Sequence, residues 1–207
     1  MDISERITDF TMAFHEAVQG ILRETFSAVP VIAQSSDGHT VSAQAAMAVP
    51  VKLPDGTVTN QSMPPFQDAP AHFPGGGGVS HTHPISSGDE GIMLIVDRNQ
   101  DAWHQNGGAN NAPVDDRAHH LADSRFIPGG RSNPRKMDPA PSSTSSQSRS
   151  DDGNHVHDVH PQNGVHLAST VKVAHTSGGS STFHTPDGIK ANAASIAHNC
   201  GSPGGGF

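Results

Sequence analysis

Fifteen histidines stand out in a chain with one cysteine and no tyrosine. His155 and His157 form a His-x-His pair, and His160 follows. On a strand, side chains two apart share a face, so both imidazoles can reach one ion. No carboxylate can be placed behind them to orient the rings, so the pair reads as an outward, solvated row. His81 and His83 repeat the spacing and receive the same reading. No metal and no cofactor is expected. The four glycines Gly75 to Gly78 resemble a phosphate cradle only in composition. Val79-Ser80-His81 does not supply the lysine and hydroxyl at a helix start that such a loop needs, so a hairpin turn is expected. Asp89, Glu90, Asp97, Asp101, Asp115 and Asp116 include close carboxylates. Glycan hydrolysis requires two of them facing across a cleft; these fall at turn edges, where acidic side chains solvate loops. Cys200 and His198 have the types of a nucleophile and a base, but nearness in sequence does not create that geometry. No catalytic residue is assigned, and the chain reads as non-enzymatic.

The elements that must position these residues are short. Only 33% of the 207 residues are hydrophobic and 4% aromatic, against 22 glycines and 16 prolines. That balance suits turns rather than long helices, and it disfavours one core spanning the whole chain. The net charge is -8 with histidines neutral. Phosphate-backbone binding needs clustered Lys and Arg, so no nucleic-acid partner is expected. The single cysteine excludes an intrachain disulfide. No signal peptide is read, and no apolar run is long enough to span a membrane.

Residues 2–26 predict a helix, with Asp2 as N-cap and Glu5 at capping-box spacing. Ile3, Ile7, Phe10, Phe14, Ala17 and Ile21 follow alternating four- and three-residue steps, a heptad seam. Such a helix either packs on its own domain or meets copies of itself or a neighbouring protein. From Val29 the period becomes two: Val29, Val31 and Ala33 alternate, and Ser36-Asp37-Gly38 and Pro54-Asp55-Gly56 are turns. Strands are expected at Ala69–Phe73 and Val79–His83. Gly91–Asp97 reads as a strand covered on both faces or a short buried helix, with strand favoured by length and branching. Residues 97–101 read as an exposed turn, and Trp103 as a cap on a barrel end. Five or six short strands indicate a small Greek-key barrel of the OB type. Residues 109–127 are polar, with Leu121, Phe126 and Ile127 as isolated anchors, and a Pro/Ser-rich connector follows.

From Asp151 strands return between Gly-containing turns. Val165, Leu167, Ser169, Val171 and Val173 alternate with polar or small residues, a pattern with one buried face. About fifty residues with so few large side chains bury too little to stand alone, so these strands must complete themselves on other chains.

The stretch 73–108, FPGGGGVSHTHPISSGDEGIMLIVDRNQDAWHQNGG, resembles the central-spike family of contractile-tailed phages. The likeness continues through His119 to Asp123 and through Ser148-Arg149-Ser150-Asp151-Asp152-Gly153, covering roughly residues 29–165. It implies a mainly β protein: an N-terminal helix (1–27), an OB-fold barrel (28–127), a linker (128–150) and an intertwined trimeric β-helix with its tip (151–207). It further implies a homotrimer at the distal end of the tail in the virion, docked on a baseplate hub protein and pressed through the host outer membrane as the sheath contracts. Val165, Leu167, Val171 and Val173 would then point to the threefold axis as the trimer core. Family members often carry a His-x-His pair near the C-terminus that binds iron at the apex. This chain ends in His198-Asn199-Cys200 and glycines, so either it has no metal apex or a separate protein caps the tip. The helix is longer than a bare OB domain needs, which suggests an extra docking element. The rival reading is an OB-fold module that binds nucleic acid or a glycan, with the tail as an oligomerisation stalk. A peptidoglycan-cleaving enzyme is the third.

Overall fold

The computed structural model describes residues 3–177 and 180–192, the side chains of 3–9, 24, 177 and 192 excepted. The chain divides into two units, 1–132 and 133–207.

In the first unit, α1 (Ile3–Glu24) ends where the Thr25 hydroxyl donates to the Ile21 carbonyl at 2.9 Å. Strands follow because apolar and polar residues now alternate. β1 (Ala28–Ser36) turns Val29, Val31 and Ala33 inward. β2 (Thr40–Ala45) turns Val41 and Ala43 inward. The turn between them closes on Asp37, whose carboxylate accepts the His39 and Thr40 amides at 2.8 and 2.6 Å. β3 (Ala48–Lys52) and β4 (Val58–Ser62) form a separate hairpin. In β5 (Phe66–Pro70) the two buried residues, Phe66 and Ala69, are three apart rather than two. Asp68 lies between them at φ 51°, and the register against β2 shifts there. This bulge returns the second side chain to the inner face and bends the strand. β6 (Gly75–Gly76) and β7 (Val79–Ser80) flank Gly77 and Gly78, both at positive φ.

β8 (Glu90–Ile95) pairs with β1 and with β9 (Ser124–Pro128), giving the order β5-β2-β1-β8-β9. The sheet curls until its edges touch. Ala71, just past β5, bridges Phe126 in parallel, and the His72 amide donates to the Phe126 carbonyl at 2.8 Å. The core collected inside comprises Val29, Val31, Ala33, Val41, Ala43, Met63, Phe66, Ala69, Met93, Ile95 and Phe126.

Several expectations change here. The run Gly91–Asp97 is strand only as far as Ile95, and it is not covered on both faces. Gly91, Met93 and Ile95 are buried, while Ile92 and Leu94 remain 38% and 42% exposed on the outer side. The strand expected at 69–73 starts earlier, at Phe66, and the one expected at 79–83 stops at Ser80. The polar stretch 109–127 contains most of β9, whose Phe126 is fully buried at the centre of the core. Residues 97–101 are not wholly exposed, because Gln100 is buried.

The second unit holds two three-stranded meanders. β10 (Ser146–Arg149), β11 (His155–His160) and β12 (Gly164–Ser169) make one. β13 (Val173–Ser177), β14 (Ser180–Thr185) and β15 (Gly188–Asn192) make the other. Every one of these strands pairs with a sequence neighbour of its own chain. The described strands are thus hairpin-connected antiparallel sheets, where an intertwined β-helix was expected. The stretch 128–150, read as a linker, includes β10. Its Gln147 and Arg149 are half-buried and alternate with the exposed Ser146 and Ser148.

Of the described glycines in the first unit, Gly91 has the least space beside it. A Cβ there would lie 2.6 Å from the Phe126 ring and 2.7 Å from the Ile127 carbonyl. Gly91→Ala is expected to destabilise this unit by about 2 kcal/mol, since the ring has no free space to enter. Thermal unfolding followed by circular dichroism should show the transition several degrees lower.

Candidate functional site

Two arrangements of side chains stand out, one in each unit. In the first, the segment between β8 and β9 carries a short helix, α2 (Asp101–Asn106), and folds back over one end of the curled sheet. Arg117 fastens it. Its guanidinium donates to Asp101 at 2.6 Å, to Asp115 at 2.9 Å, and through two nitrogens to Asp123. Asp123 is 1% exposed and also accepts the Gln100 amide at 3.0 Å. The Gln100 side chain donates to the Ser124 carbonyl and accepts from Arg125, whose guanidinium lies 4.4 Å from the Trp103 ring centre. Burial alone would push the Asp123 carboxyl up. The Arg117 hydrogen bonds and the Gln100 amide outweigh it, so the group sits below the usual carboxylate range. The same bond to Asp123 raises Arg117. A multiply bonded guanidinium of this kind is a clamp: its donors are consumed by protein carboxylates, not offered to a ligand.

Asp89, Glu90 and Asp97 are likewise engaged locally, and Asp116 is exposed. Asp89 accepts the Ser86 amide at 2.7 Å. Glu90 accepts the amide and hydroxyl of Ser132 at 2.6 and 2.7 Å. Asp97 pairs with His119 at 3.0 Å. His81 and His83 lie beyond β7, where the backbone is no longer strand, and the His83 ring packs 6.3 Å from that of Phe73. His198 and Cys200 lie outside the described residues.

In the second unit the site is a surface. The turn Ser150–Asn154 links β10 to β11. Asp152 accepts from the Ser150 hydroxyl, then from the amide and side chain of Asn154, which together hold its carboxyl down at about 2. Arg149 donates to the carbonyls of Pro139, Ala140, Ser150 and Asp151, drawing the preceding loop against the sheet. The Ser142 amide donates to Gln147 at 3.2 Å, a second tie of the same kind. That loop therefore covers the face carrying Gln147, Arg149, Val156, Asp158, His160 and Ala168. The opposite face is uncovered. There Val159, Val165 and Leu167 are 45%, 66% and 47% exposed, with His155 and His157 beside them. The His155 ring meets the Ser169 hydroxyl at 2.9 Å, and His157 stands opposite Leu167. Among the described residues no three metal-ligating groups converge.

Of the four residues expected at a trimer core, Val165 and Leu167 share this face. Val171 and Val173 do not continue it. The Ser169 hydroxyl accepts the amides of Val171 and Lys172 at 3.2 and 3.1 Å, which ends β12 in a turn. Val171 is exposed in that turn, and Val173 opens β13 half-buried. Among described residues from 133 to 192, none is buried. Sequence reasoning missed Arg117. The available signal was an arginine spaced among Asp101, Asp115 and Asp123 in one connecting segment.

Residues 29–129 match the family model described as phage protein Gp138 N-terminal domain. The match spans the curled sheet from Val29 in β1 to the residue after β9. It supports a phage structural, baseplate-associated protein with a place in the virion. No curated protein matches the chain.

Arg117→Ala leaves the buried Asp123 charge without its partner and is expected to cost about 3 kcal/mol in urea unfolding at pH 7. Because Asp123 is lowered in the folded state, its contribution is full above about pH 4 and is lost as pH falls through its folded value. The gap between wild type and variant should therefore narrow below pH 4.

Proposed function

We propose that three copies of this chain form the spike at the distal end of a contractile phage tail, a structural part that pierces the host outer membrane mechanically and catalyses nothing. The observation that carries the reading is the second unit's lack of any buried residue among those described, together with the uncovered apolar face of Val159, Val165 and Leu167. A sheet in that state gains little from folding alone, because hydrophobic stabilisation scales with area removed from water. Three such faces turned toward one axis remove that area, and the trimer core then consists of Val165 and Leu167 with Val159. Val171 and Val173, which lie past the turn at Ser169, are left out of that core. Edge strands β10, β12, β13 and β15 meet those of neighbouring copies, which protects them from open-ended association.

The first unit supports the reading through its connectivity. A five-stranded sheet in the order β5-β2-β1-β8-β9, brought together by a parallel contact at Ala71 and Phe126, supports reading this unit as an OB-type barrel. In this role the barrel docks on the baseplate hub protein, and the Arg117 clamp keeps the β8–β9 segment from yielding under load. No cofactor and no nucleic acid enters the reading; the chain's net charge of -8 opposes the latter. Residues 193–207, where a tip or its capping protein would bind, lie outside the described residues.

Light scattering of the purified protein should give three times the 21.5 kDa chain mass. Leu167→Asp, which places three carboxylates around the axis, should open the second unit to proteolysis and lower the share of three-chain particles on dilution, while leaving the thermal transition of the first unit in place. A wild-type monomer, or retardation of single-stranded DNA by the protein, overturns the proposal.

A further inference from the structure

α1 carries an apolar stripe that is exposed among the described residues. Phe10, Phe14 and Ile21 are 72%, 62% and 66% exposed, and Ala17 between them is exposed as well. The Phe10 and Phe14 rings stack 6.4 Å apart along the same side. These four residues follow steps of four, three and four, and by position Ile3 and Ile7 extend the row over three heptads. A repeat of 3.5 keeps one seam in line along the helix, which is the condition for packing against another helix with the same repeat. A helix lying across a β-surface has no need of that regularity.

We propose that this seam packs against the same seam of two further copies of this chain, as a short parallel three-helix bundle at the N-terminal end of the assembly. The inference rests on the trimer reading, and threefold symmetry then requires the helices to be parallel. Ser4, Arg6, Thr11, Ala13, Val18 and Gly20 flank the seam where a two-stranded coil usually carries paired charges. Flanks that are small and, Arg6 apart, uncharged widen the contact face and suit more than two strands, while Glu16 and Arg23 fall on the far side. Each aromatic ring offers roughly 150–250 Å². The exposed seam therefore comes to about 500 Å² per chain, or about 1,500 Å² over three chains, inside the range of specific interfaces. Three residues separate α1 from β1, and Phe26 among them packs on the core of the curled sheet. The bundle would thus fix the three curled sheets around the axis from their N-terminal side.

The test uses the full chain with Cys200→Ser and one new thiol. Ala17→Cys lies on the seam, and Met12→Cys lies on the opposite side of the helix, where Met12 is 59% exposed. Under mild oxidation Ala17→Cys should form the interchain disulfide at least about tenfold faster than Met12→Cys, since only the seam brings Cα atoms within bonding reach. Adding Phe10→Ser and Phe14→Ser should abolish that advantage. A three-chain particle in which both thiols react at the same slow rate overturns the bundle and leaves the spike reading standing. A single-chain particle that cross-links at neither position overturns both.

Discussion

The first unit depends on one close approach, the Phe126 ring laid against the backbone of Gly91. A sheet with one apolar face must cover that face, and a five-stranded sheet does so by curling onto itself. Curling brings the far edges together only if some strand in the middle can be approached without a side chain in the way. Gly91 provides that place, and Phe126 occupies it at full burial. The bulge at Asp68 and the register shift in β1 supply the bend on the other side. Bulge, ring and glycine are one device, and the edge contact between Ala71 and Phe126 is its result.

The two units of the chain solve the same problem in opposite ways. The first gathers its apolar residues inside a single curled sheet. The second spreads a few apolar side chains over two meanders, and in the β10–β12 meander one side is covered by the loop whose Pro139 and Ala140 carbonyls Arg149 holds. Conformational entropy must be offset in both, and in the second the chain's own contacts contribute little toward it. In the proposed spike, the uncovered face of Val159, Val165 and Leu167 is where other copies would supply the rest.

Much of the first unit was legible in the sequence. The alternation of Val29, Val31 and Ala33 marks β1, and Asp37-Gly38 and Asp55-Gly56 mark turns by their side-chain bonds and positive φ. β9 was not legible, because Phe126 and Ile127 sit in a polar stretch and their partners in β8 lie more than thirty residues away. The outer exposure of Ile92 and Leu94 was hidden for a related reason: an unbroken apolar run states that a strand is greasy, not how many of its faces are covered. The alternation from Val165 to Val173 was misleading past Ser169. A serine hydroxyl that captures two following amides competes with the ladder and ends it, and period-two counting does not see that competition. Arg117 escaped notice since loop charges usually solvate; only the fold reveals that Asp123 is buried behind it.

The meanders pair strand to adjacent strand within one polypeptide, and this bears on how such a particle is put together. A hairpin-connected sheet has low contact order, so its strands can pair quickly once something covers their apolar face. In the proposed spike no strand would have to thread through another copy. Assembly would then depend on how often copies meet, and so on their concentration.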